Sequence, residues 1–221
     1  MYTTAYVDVS VPWLLQSDSR LKNYIDAHLL DPNNDDHIPS EDVKLLIQIP
    51  CSIYMGMQPT AVVQYGHGIF GTKADVEQSY WLQEEASING WILWSMDWRA
   101  FDRFDIPLFV KTILYNADLI TSVRDNTVQG YVSQLFGKGL IYRIINDYKN
   151  YLGLDVIVDY SNAASTVPSR FLGVSMGAIL GSGFVPLAGY DRAVFLVPGS
   201  PFRYHHYFYY HYHNYDYYYY H

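Results

Sequence analysis

Apolar positions fall in short blocks along the first 203 residues, and the blocks alternate between two periods. Lys44–Ile49 (KLLIQI) is a near-continuous apolar run closed by Pro50, as expected of a strand buried on both faces. Ala61–Tyr65 (AVVQY), Trp91–Met96 (WILWSM), Arg170–Leu172 and Ala193–Val197 (AVFLV) repeat that pattern, the last closed by Pro198-Gly199. Between them the period lengthens to that of a helix. Ser19–Leu30 places Leu21, Ile25 and Leu29 on one side, and Asp31–Asp36 follows as a loop. Asp75–Asn89 is helical in period, with Gly90 as its stop. Asp105–Val123 carries helix-spaced Ile106, Phe109, Val110, Ile113, Leu114 and Ala117. Gly139–Leu152 carries a stripe of Leu140, Ile141, Ile144, Ile145, Tyr148, Tyr151 and Leu152. A small-residue helix follows Gly173–Gly177 and runs to about Gly183. Apolar strands alternating with helices predict an α/β fold: a mostly parallel sheet with helices on both faces.

Composition changes this picture at one end. The chain has 221 residues and 23 tyrosines, and Tyr204–His221 reads YHHYFYYHYHNYDYYYYH. Apart from Phe208, every residue there is Tyr, His, Asn or Asp, which share codons with A in the second place and a pyrimidine in the third. That pattern marks a repeated DNA tract read in frame, and no period of 2 or 3.6 is present to bury a face. Its histidines (205, 206, 211, 213 and 221) could capture zinc or nickel loosely, but nothing fixes a ligand geometry, and no metal site is assigned. The expected organisation is an N-terminal helix-and-loop region (1–43), a partial α/β domain (44–203) and a low-complexity tail (204–221).

Charge and apolar content exclude several classes. A formal charge of −8 with no basic stripe argues against a nucleic-acid partner. No apolar run approaches the ~18 residues of a membrane span. The lone Cys51 cannot form an internal disulfide. No basic and apolar leader opens the chain, and its compartment stays unassigned.

Two glycine signatures carry candidate chemistry. Gly173-Val174-Ser175-Met176-Gly177 lies between a strand and a helix. So tight a turn would hold Ser175 strained and exposed at the carboxyl edge of the sheet, where a Cβ on either glycine would collide with backbone and the helix N-terminus favours developing negative charge. Gly66-His67-Gly68-Ile69-Phe70-Gly71 follows the AVVQY strand. It matches the dinucleotide fingerprint G-x-G-x-x-G, with Asp97 as a ribose-binding acid, and so leaves a Rossmann-type oxidoreductase as the alternative. Its His67-Gly68 pair also suits an oxyanion loop with the Ile69 amide facing substrate. An oxyanion loop accounts for both signatures with one mechanism.

The segments AVVQYGHGIFGTKADV, GWILWSMDWRAF, TVQGYV, RFLGVSMGAILGSGF and RAVFLVPGSPF resemble α/β-hydrolases of the bacterial lipase- and esterase-like kind, over about Leu45–Phe202. The resemblance implies Ser175 as nucleophile and Ile69 and Met176 as backbone oxyanion donors, with Gly173, Gly177, Gly66, Gly68 and Gly71 shaping the two turns. It implies a small-molecule or lipid ester as substrate and no cofactor. Asp97 and His67 read as structural. In such proteins the acid and then the histidine follow the serine. Met176–Arg203 holds one acid, Asp191, placed before a strand, and no histidine. The acid and base are therefore unassigned, and a truncated chain of impaired activity, or a non-catalytic remnant, is expected. An uncovered sheet edge at AVFLV would favour self-association.

Overall fold

The computed structural model describes residues 2–17, 23–25, 39–152 and 167–197. Six strands form one sheet: β1 (Tyr2–Pro12), β4 (Ser40–Pro50), β5 (Ala61–Gly66), β6 (Trp91–Met96), β7 (Ser169–Val174) and β8 (Arg192–Leu196). A separate ribbon pairs β2 (Leu15–Ser17) with β3 (Asn23–Ile25). The sheet order is β1-β4-β6-β5-β7-β8. The four strands β5 to β8 run parallel, whereas β4 is antiparallel to β6 and β1 to β4. The fold is α/β with a mixed, mostly parallel sheet.

The helices are α1 (Cys51–Tyr54), α2 (Asp75–Gln78), α3 (Tyr80–Asn89), α4 (Ile106–Leu114), α5 (Ile120–Leu152) and α6 (Met176–Ala188). Alternate residues of the central strands feed opposite faces. Ile47, Val62, Ile92 and Trp94 pack with Ile141 and Ile145 of α5. Leu46, Val63, Tyr65 and Leu93 pack with Val76, Leu82 and Ala86 of α2 and α3. Every residue of β5 is buried, which is why that strand reads as an apolar run rather than an alternation.

Several expectations need correction. Residues 2–12 are not a helix-and-loop preface: β1 pairs with β4 from Tyr2↔Pro50 to Pro12↔Ser40 and belongs to the main sheet. Asn23–Ile25 is a strand where a helix over Ser19–Leu30 was expected; the remainder of that helix and the Asp31–Asp36 loop lie outside the described residues. The helix of 75–89 is interrupted at Ser79 (φ −86°, ψ 80°), and Gly90 ends α3 in the left-handed conformation (φ 67°), its N–H bonded to Ala86 O. The 105–123 helix is split by a turn in which Asn116 caps Asp118, and the expected 139–152 helix is the second half of α5. The side chains of Tyr148, Tyr151 and Leu152 lie outside the described part, as does everything from Pro198 through the tail.

Candidate active site

The two glycine signatures meet at the carboxyl edge of the sheet. Gly66 ends β5 and pairs with Gly173 of β7. The chain leaves β7 through Val174, turns at Ser175 and enters α6 at Met176. Ser175 is held at φ 53°, ψ −115°, a conformation that costs a non-glycine residue about 1–3 kcal/mol. Backbone bonds impose it: Ser175 N donates to Leu196 O of β8 (2.9 Å), and Ser175 O accepts from Ala178 N and Ile179 N (3.0 and 3.1 Å).

The flanking glycines leave no space for a side chain. A Cβ on Gly173 would lie 2.5 Å from Gly177 O, and one on Gly177 would overlap Gly66 O and lie 2.6 Å from His67 O. The first turn of α6 therefore rests directly on the end of β5. A Cβ on Gly68 would lie 3.5 Å from Ser175 Cβ and 4.0 Å from its Oγ, so the loop after β5 runs beside the serine.

That loop is tied down at both ends. His67 is fully buried; its Nδ1–H donates to Gly68 O (2.8 Å), and its Nε2 accepts from Trp98 N (2.8 Å). Burial lowers the His67 pKa, so the ring is neutral with its proton on Nδ1, and both nitrogens are occupied by backbone. Phe70 takes a positive φ of 59° while its N–H donates to Phe101 O (2.7 Å), and Gly71 N donates to Gly68 O (3.0 Å). The Ile69 amide between them has no acceptor among the described residues. Met176 is the first residue of α6, where the helix's own ladder offers its N–H no carbonyl.

The other candidates are placed elsewhere. Asp97 accepts from Lys73 N (2.7 Å) and forms an ion pair with Lys73 Nζ, clasping the β5 and β6 loops together rather than bonding its own turn. Asp191 opens β8 at the opposite, amino edge of the sheet and accepts from Ser169 N (2.7 Å). Among the described residues no carboxylate or imidazole is hydrogen-bonded to Ser175 Oγ. A cavity of about 260 Å³ is lined by Lys73, Met96, Asp97, Arg99 and Asp102 with Val43, Lys44 and Ser133, and it does not include Ser175.

Sequence reasoning missed Asp102 in that cavity. It is buried and caps the turn after it, accepting from Phe104 N (2.6 Å) and Asp105 N (3.2 Å). Burial, and then the charge of Asp105, push its pKa up to about 6. The spacing Asp-x-Phe-Asp was its available signal, since an aspartate before a helical turn is a capping residue.

No family model matches the chain, and no curated protein matches it. Solved structures do. A thermostable carboxyl esterase from Bacillus coagulans is 16% identical over 87% of this chain and 44% of its own, with a TM-score of 0.37. Prolyl oligopeptidase B from Galerina marginata is 15% identical over 88% of this chain and 20% of its own, at 0.41. S-formylglutathione hydrolase from Staphylococcus aureus is 11% identical over 87% of this chain and 58% of its own, at 0.37. The chain spans between a fifth and somewhat over half of the length of these proteins.

Proposed function

We propose that the chain carries the nucleophile half of a serine hydrolase acting on carboxylic esters. Ser175 Oγ attacks the ester carbonyl carbon, the carbonyl oxygen takes the negative charge between the Ile69 and Met176 amides, and the alcohol leaves to give an acyl-Ser175. The observation that carries this reading is the strained Ser175 conformation beside the Gly68–Ile69 loop. A φ of 53° on a serine persists only where the surroundings enforce it, and a Cβ on Gly68 would lie 4.0 Å from the hydroxyl oxygen, which supports a role for the neighbouring Ile69 amide.

Removing the hydroxyl proton needs a base within hydrogen-bond reach. His67 is a poor choice because both its nitrogens serve the loop, and Asp191 lies at the wrong edge. The acid and base therefore come from outside the described residues. Where they are missing, transition-state stabilisation by the amides alone leaves about 10³–10⁴-fold over water.

The dinucleotide alternative fits less well. Gly66 is packed against Phe171 and Trp98 rather than open to a ligand. The helix after the loop has four residues, and its first turn carries Asp75 and Glu77, which would repel a pyrophosphate. Asp97 is already paired with Lys73.

The test is covalent labelling of the purified chain by a fluorophosphonate, with and without added imidazole as a diffusible base. The expected result is one adduct, on Ser175, absent in Ser175→Ala and formed faster with imidazole. Quenching of tryptophan fluorescence by NAD that is lost in Gly68→Ala, with Ser175 unlabelled, would favour the dinucleotide reading instead.

A further inference from the structure

The cavity of about 260 Å³ is walled by β4, by the loops that leave β5 and β6, and by α5. Only Val43 and Met96 among its lining residues are apolar. Lys44, Lys73 and Arg99 bring three cations, Asp97 and Asp102 two carboxylates, and Ser133 a hydroxyl. Lys73 is paired with Asp97, and Lys44 with Asp8 (2.8 Å). Two groups are left with unmet capacity. Asp102 is buried and gives one oxygen, Oδ1, to both Phe104 N and Asp105 N, so its Oδ2 has no hydrogen bond among the described residues. Arg99 is fixed in place: its Nε donates to Asn126 Oδ1 (2.8 Å), and its guanidinium lies over the Trp13 ring (4.2 Å to the centroid). Glu41 Oε2 stands 3.7 Å from Arg99 Nη1, too far for a hydrogen bond, so the Nη donors are unmet among the described residues. A carboxylate oxygen and a fork of donors held this way at one cavity are costly unless something in the cavity bonds them.

We infer that this cavity binds a neutral polyhydroxylated molecule of about one sugar ring in size. Charge selects that class. Asp102 and Asp105 both act electrostatically on the Arg99 guanidinium, so an anion drawn to the fork would meet two carboxylates as well. A zwitterion would answer Arg99 and Asp102 and leave Ser133 and the Lys73–Asp97 pair desolvated against it. Hydroxyl groups both donate and accept, so one polyol accepts from Arg99 and Lys73 and donates to Asp102 Oδ2 without adding charge. Val43 and Met96 offer its C–H face an apolar contact. The volume falls below the ~300 Å³ at which pockets for drug-sized ligands begin, which suits a single ring. Lys73 lies on the loop after β5, and Arg99 and Asp102 on the loop after β6. Those loops are already joined by Phe70 N to Phe101 O and by Arg103 N to Gly71 O, and a bound polyol bridges them again. The inference does not depend on the esterase reading.

The test is calorimetric titration of the full chain with D-glucose, D-galactose, D-mannose and myo-inositol, with acetate and glycine as the anionic and zwitterionic probes. At least one of the four polyols is expected to bind saturably, and neither acetate nor glycine is. Asp102→Asn keeps the capping oxygen and turns the Oδ2 acceptor into a donor; Arg99→Lys keeps the charge and loses the fork. Each is expected to weaken polyol binding about tenfold or more. Arg99 also packs on Trp13, so its variant is read only beside Asp102→Asn, whose cap preserves the fold. Ser175→Ala is expected to bind like wild type. Hydrogen exchange locates the ligand: bound polyol is expected to slow the Lys73 and Phe104 amides, and not that of Gly189 at the far end of α6. The inference is overturned if none of the four polyols binds saturably, if only acetate or glycine binds, or if Asp102→Asn binds at full strength. It is also overturned if Ser175→Ala abolishes binding or if protection is confined to the Ser175 turn, either of which would place the polyol at the serine. Titration reads no chemistry at Ser175, so its failure leaves fluorophosphonate labelling, and the reading that rests on it, unaffected.

Discussion

The turn at Ser175, which follows β7, and the helix at 106–114, which follows β6, are built on opposite terms. The turn is made almost wholly of backbone against backbone: Gly177 rests on Gly66 and His67, and Ser175 is bonded to β8 and to its own helix. Each position there admits one conformation. The helix has large side chains with few neighbours, and its main anchors are Phe109 on two aromatic rings and the capped turn at Asp102. Close backbone contact makes residue identity obligatory, whereas an exposed apolar face leaves stability indifferent and makes identity matter for what the surface touches.

The sharpest way to break this contrast is at Gly177. Gly177→Ala is expected to cost at least ~3 kcal/mol in denaturant unfolding, because its methyl would meet peptide atoms of Gly66 and His67 that cannot swing aside. A cost below ~1 kcal/mol would mean the turn is looser than described.

Asp102, under the start of the α4 segment, should give an intermediate effect with a pH signature. Its carboxyl has a folded-state pKa near 6, above the ~3.9 of an unfolded chain, so the folded state binds the proton more tightly. Its contribution therefore favours folding below about pH 4 and is lost as pH rises through 6. Asp102→Asn keeps the capping oxygen and removes the buried charge. It should raise stability at pH 7 by ~1–2 kcal/mol and flatten the melting temperature between pH 4 and 7. A variant with an unchanged pH profile would remove Asp102 as the source.

Ser175→Gly should stabilise the fold by ~1 kcal/mol, since glycine accepts a φ of 53° without strain and gives back part of that gain as unfolded-state entropy. Ile113→Ser should change stability by less than ~0.5 kcal/mol, as expected of an exposed position. Thermal melts of both variants would sharpen the comparison, and destabilisation by Ile113→Ser would mean that the α4 face is packed.

Much of the fold was legible because β5 and β6 are buried on nearly every residue and read as apolar runs. β1 was legible too but was passed over: Val7, Val9 and Val11 alternate with Tyr6, Asp8 and Ser10, the pattern of a half-buried edge strand rather than of the continuous apolar runs that marked the others. The site was legible at the glycines, whose spacing answers to steric contact, and at His67, which the resemblance implied was structural. Asp97 was legible only in part: a loop aspartate bonds backbone, but that the backbone belongs to Lys73 is a fact of the assembled sheet edge. The apolar spacing of α4 was legible as a helix but did not tell that its face is exposed, since periodicity reports a common face and not what that face meets.

The most direct test of the central claim is the site of fluorophosphonate attachment in the folded chain, read by peptide mass spectrometry in parallel with a urea-unfolded sample. The account predicts an adduct on Ser175 in the folded chain, faster with imidazole and abolished by unfolding or by Ser175→Ala. A folded chain that leaves Ser175 unmodified while imidazole is present, or one that modifies Ser175 no faster than its other serines, would contradict it.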